Sequence, residues 1–179
     1  FRYDTKSDRN ILAASIQKGN ICKPNKDNLI KEAERCLLCS TICNKCVDVC
    51  PNRANIAVPS EYLSESFTNL YQIIHIDGLC NECGNCETFC PYSGAPYKEK
   101  FTIFWDKEGF NNSNNDGILF AAKDGDNVDL LMRYNSETSK IRFNNNGEIE
   151  NSTSIVDVRQ AEMIWKLYNK FNYLFETTV

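Results

Sequence analysis

The chain reads as an α+β protein, and three observations carry that expectation. Short runs of alternating apolar residues are separated by turn-forming residues through its second half. Two stretches instead space their apolar residues at helical intervals. The cysteines, ten in 179 residues, all lie at or before position 90, and eight of them gather into two groups that each close on Cys-Pro. A formal net charge of −4 offers no basic field, so nucleic acid is not an expected partner. No apolar run approaches the length that spans a bilayer, so no membrane insertion is expected. The opening residues are not a basic-then-apolar leader, which points to the cytoplasm. The chain starts on Phe1, from which we expect a piece of a longer polypeptide.

Taken in order, residues 1–26 are polar and form an arm with one short helix at Ile11–Ile16. Asp27 then caps a helix whose apolar positions are Leu29, Ile30, Ala33 and Leu37, and this helix delivers Cys36 and Cys39. Strands are expected at Asn55–Val58 and Gln72–Asp77, with an inserted segment at 59–71 between them. Residues 27–100 thus make one domain and 101–179 a small appendage. In the appendage, Phe101–Trp105 is a strand candidate and residues 111–117 a loop. Ile118–Ala122 and Val128–Tyr134 flank a hairpin signal at Lys123–Asp126, and Asn146-Gly147 turns the chain again before Glu148–Glu150. Ala161, Ile164, Trp165, Tyr168 and Phe171 mark an amphipathic helix of about twenty residues, with Ser154 and Asp157 as its capping pair. The appendage should therefore be a small antiparallel sheet covered by a C-terminal helix.

The second cysteine group is Cys80, Cys83, Cys86 and Cys90 followed by Pro91, the run C-x2-C-x2-C-x3-C-P. That spacing is the one found in bacterial two-cluster ferredoxins, where three thiolates wrap one [4Fe–4S] cubane and the fourth reaches the other cluster. The first group repeats it forty positions earlier, with Cys43, Cys46, Cys50 and Pro51 standing for Cys83, Cys86, Cys90 and Pro91. The repeat fails once, because position 40 is Ser40 and the leading cysteine is Cys39, one residue early. The crossing rule then gives one cluster Cys39, Cys43, Cys46 and Cys90, and the other Cys80, Cys83, Cys86 and Cys50. Cys36, one helical turn from Cys39, remains an alternative ligand, and Cys22 reads as a thiol outside both clusters. Eight thiolates and two oxidised cores sum to about −4, which favours potentials in the negative half of the iron–sulfur range. The expected role is electron transfer; the alternative is a structural zinc-binding interaction module. His75, between Ile74 and Ile76, reads as a structural or surface histidine rather than a proton donor, Trp105 and Trp165 as core, and Asp48, Glu82 and Glu87 as solvated surface.

The run Glu34-Arg35-Cys36-Leu37-Leu38-Cys39 resembles the lead-in to the iron–sulfur region of the glutamate synthase small subunit and of dihydropyrimidine dehydrogenase. Cys36–Asn55, Ile76–Cys80, Cys90–Lys98 and Phe101–Trp105 together resemble the C-terminal iron–sulfur region of the YgfK-type family, whose provisional label is selenate reductase subunit. That resemblance covers nearly the whole chain. It implies a two-[4Fe–4S] ferredoxin-like domain ligated by Cys39, Cys43, Cys46, Cys50, Cys80, Cys83, Cys86 and Cys90. It also implies an upstream flavoprotein region of the same polypeptide that binds FAD and NAD(P)H, and a partner redox subunit. It carries no catalytic residue onto these positions, and no residue here recognises selenate.

Overall fold

The computed structural model describes residues 43–65, 67, 70–153 and 156–175. The helices expected at Ile11–Ile16 and behind Asp27, the cysteines Cys22, Cys36 and Cys39, and the capping residue Ser154 lie outside these residues.

One seven-stranded sheet runs through the described residues in the order β1 to β7. Strand β1 (Asn55–Pro59) pairs antiparallel with β2 (Tyr71–Ile76), from Asn55 opposite His75 to Pro59 opposite Tyr71. Pro59, which has no N–H to donate, stands at the end of its strand. The connecting segment turns at Ser60–Tyr62 and then sends Leu63 and Phe67 into the core. Strand β3 (Thr102–Phe104) runs parallel to β2, and β4 (Gly117–Asp124) parallel to β3. Parallel neighbours need a crossover rather than a tight turn. The first crossover holds the second cysteine group with two one-turn helices, α2 (Asn85–Thr88) and α3 (Pro96–Glu99); the second holds α4 (Lys107–Asn112). The counterpart of α2 in the first cysteine group is α1 (Lys45–Asp48).

Strands β5 (Asn127–Tyr134), β6 (Glu137–Phe143) and β7 (Ile149–Ser152) complete an antiparallel meander. Its turns need positive φ, and the chain supplies it at Gly125, at Asn135 and Ser136, and at Gly147. Ile76, Ile103, Ile118 and Met132 register across four neighbouring strands. This row enters the main core, which also takes Ile164 and Leu167 from α5 (Val158–Lys170). Trp165 stacks on Phe143 and Tyr168 on Phe120 at its edge. The Trp105 ring packs against Gly78, leaving no room there for a Cβ, and its Nε1–H donates to the Leu174 carbonyl at 2.8 Å.

The opposite face carries the cysteine region around Ile73 and, further along, a cluster of Phe104, Phe110 and Leu119. Strand β2 is covered on both faces, so five successive residues from Gln72 are buried.

Three expectations change. The sheet of residues 101–179 is neither small nor purely antiparallel. It continues β1 and β2 through two parallel pairings, because β3 inserts between β2 and β4. Residues 111 and 112 belong to helix α4 rather than a loop, because the Asp106 side chain accepts the Gly109 N–H at 2.7 Å and Phe110 anchors the turn. The C-terminal helix spans thirteen residues, shorter than the expected twenty. No helix among the described residues is long and apolar enough to cross a membrane.

Candidate functional site

Both cysteine groups fold in the same local form. Helices α1 and α2 each place their central cysteine inward, so Cys46 and Cys86 are buried against Ile73. The two helices pack on one another, with Val47, Val49, Ala57 and Tyr97 closing around them. Beyond each helix the chain makes the same turn: the Arg53 N–H donates to the Cys50 carbonyl and the Ser93 N–H to the Cys90 carbonyl, both at 3.2 Å. Arg53 and Ser93 both sit in the left-handed region, at φ 54° and 55°. The following N–H then points at sulfur, Ala54 to Cys50 Sγ at 3.2 Å and Gly94 to Cys90 Sγ at 3.3 Å. The forty-residue repeat therefore extends from residue type to backbone conformation.

The second group adds a third such contact, from the Glu82 N–H to Cys80 Sγ at 3.4 Å, with Glu82 at φ 51°. Gly84 precedes α2 at φ 75°, whereas Asn44 holds the matching position at φ −92°. The two groups thus differ in backbone at the residue before the helix, although their cysteine spacing there is the same. Gly84 is free to take this conformation because it has no Cβ.

Backbone N–H groups aimed at sulfur favour a charged thiolate over a neutral thiol. Opposing them at Cys80, burial pushes the thiol up, and the nearby charges of Cys86, Cys50 and Glu82 push it further. Cys50, the last cysteine of the first group, is thus among the charges that act on Cys80 in the second. Cys83 is exposed, while Cys43, Cys50, Cys80 and Cys90 are partly buried, and none of the five is in a disulfide. Among the described residues, no three His, Cys, Asp or Glu side chains converge to hold a metal ion. The thiols of a cubane bind separate iron corners and lie further apart than the ligands of one ion. An all-sulfur donor set with N–H groups on three of its sulfurs fits such a cluster in chemistry.

Other residues around the site were not singled out from sequence. Asn55 is buried beneath α1 and donates from Nδ2 to the Cys46 carbonyl at 3.2 Å; its Oδ1 lies 2.9 Å from His75 Nδ1. Tyr97 reaches from the cysteine cluster to Glu87, its hydroxyl donating to the carboxylate at 3.2 Å, with Lys98 beside its ring. Strand alternation was the available signal for Asn55 and His75, which share the face that α1 covers. Of the two positions left open for His75, the structure shows the buried one; Asp48, Glu82 and Glu87 are exposed, as expected.

The chain is 44% identical over 123 residues to "Putative oxidoreductase YgfK" of Escherichia coli K12, and equally to the protein of that name in Escherichia coli O157:H7. It is homologous to a segment of these proteins. The match takes in 68% of this chain and 11% of each relative, so the chain spans about a tenth of their length. No protein-family profile matches it, and no solved structure does.

Proposed function

We propose that this chain is the electron-transfer portion of a larger oxidoreductase and holds two [4Fe–4S] clusters in a ferredoxin-like arrangement. One cluster takes Cys39, Cys43, Cys46 and Cys90; the other takes Cys80, Cys83, Cys86 and Cys50. The observation that carries this reading is the duplicated Cys-Pro turn with its N–H to sulfur contact, joined to the packing of α1 on α2 that buries Cys46 and Cys86 together against Ile73. When bound, each cluster supplies a one-electron couple. The residues of the chain supply the rest: thiolates for ligation, backbone N–H groups to offset charge on sulfur, and an apolar wall of Ile73, Val47, Val49 and Ala57 to limit water. Homology to a named oxidoreductase supports a redox role for the whole. In that whole, the electrons pass between a flavin- and nicotinamide-binding region of the same polypeptide and a partner redox subunit.

Iron and acid-labile sulfide per chain, measured on anaerobically purified protein with EPR of the dithionite-reduced form, test this. About eight of each with coupled signals is expected. About four would leave the first site without a full ligand set and move suspicion to Cys39. About two zinc and no sulfide would replace electron transfer with a structural zinc module.

A further inference from the structure

Asn55 and His75 face each other across β1 and β2, directly beneath the first cysteine group, and are 1% and 2% exposed. The Cys46 carbonyl can only accept, so the Asn55 group 3.2 Å away is its Nδ2 donor. The amide then presents Oδ1 to His75 Nδ1 at 2.9 Å, and Oδ1 can only accept. The hydrogen between them belongs to His75, which fixes its ring with the proton on Nδ1. Two N–H dipoles therefore line up head to tail, His75 to Asn55 and Asn55 to Cys46, with their positive ends toward the cysteine group. The backbone fixes the chain's far end, since the His75 N–H donates to the Phe101 carbonyl at 2.9 Å.

We propose that Asn55 and His75 are positioning residues for the cluster that Cys46 ligates: they fix the Cys46 peptide and favour added negative charge beside it. This rests on the cluster reading above. Aligned donors in a site of low dielectric stabilise an electron arriving there more than one already paid for by solvent would be. The cluster ligated by Cys46 should be harder to reduce without them, while the cluster held mainly by the second group should keep its potential.

The test is an EPR-monitored redox titration of the full chain and of three variants, with iron and sulfide counted on each. His75→Leu and Asn55→Leu each break the dipole chain; His75→Asn keeps an N–H donor near the position of Nδ1. With cluster content unchanged, His75→Leu and Asn55→Leu are expected to lower one potential only. The shift should change that cluster's reduced-to-oxidised ratio roughly three- to tenfold at a fixed potential. His75→Asn should recover most of it. If a leucine variant loses iron, loss of one cluster with the other intact supports the same assignment. Unmoved potentials, equal shifts of both, or joint loss of both clusters in the leucine variants and in His75→Asn alike would overturn it. A wild-type chain without iron and sulfide would instead overturn the cluster reading itself.

Discussion

Burial pushes the His75 imidazole down to about 4 from its ordinary 6.5. The folded chain therefore binds fewer protons than the unfolded chain between those values. The stability associated with a neutral His75 is complete above pH 6.5 and drains away as the pH falls toward 4, reaching a loss of about 3 kcal/mol when complete. Denaturant unfolding at pH 7 and pH 4.5 should show this loss in the native chain and a flatter profile in His75→Leu. Gly78 makes a second prediction at this scale. A Cβ there would enter the Trp105 ring, so Gly78→Ala is expected to cost about 1–3 kcal/mol through displaced packing. A thermal melt would read that cost, and an unchanged midpoint would mean that the ring can swing aside. Sequence exposed the cysteines at this scale because spacing alone encodes them. Asn55 was not legible, because its role arises from a carbonyl nine residues earlier that only the packed helix brings to it.

Helix α4 illustrates what a single capping contact does for an element. Its six residues are rich in asparagine and would make a poor helix alone. Asp106 satisfies one N–H at the start, and Arg133 reaches across from β5 to the carbonyls of Phe110 and Ser113 at the end. Asp106→Ala should cost about 1 kcal/mol in denaturant unfolding. Across β5 and β6, hydrogen bonds from Arg142, with Lys140 beside it, hold Asp129 down at about 2 against the opposing effect of burial. Its contribution is present above the ordinary 3.8 and lost as the pH falls toward 2. Asp129→Asn should therefore lower stability at pH 7 and remove that acid-side decline, both visible in urea titrations. The strands were legible because each carries its own alternation. Helix α4 was not, since its anchors lie outside it, and the turn at Asn135 and Ser136 lacks the glycine that usually announces such a hairpin.

The main core draws on Val58 near one end of the sheet and Phe175 near the end of the described chain. One apolar body thus links the first strand after the cysteine group to the C-terminal helix. Unfolding followed by far-UV circular dichroism and by tryptophan emission should give coincident transitions. Two separated transitions would mean that the meander melts apart from the cysteine region. This continuity was illegible in the sequence, because parallel pairing joins segments through crossovers and leaves no local periodicity to read. The sequence signal stopped at a helix-covered meander; the insertion of β3 between β2 and β4 made it one sheet.

The contact between Trp105 and Gly78 has an optical consequence. The chain has two tryptophans, and Trp105 backs onto the loop that reaches Cys80 two residues later, whereas Trp165 lies on α5 among Phe143 and Tyr168. Iron–sulfur chromophores absorb across the wavelengths at which indole emits. Energy captured by Trp105 would drain into a neighbouring cluster, so a loaded second site dims that residue first. Ultraviolet emission would then brighten as iron is withdrawn, and the brightening would follow Trp105 rather than Trp165, giving the protein a built-in lamp for the state of its cysteines.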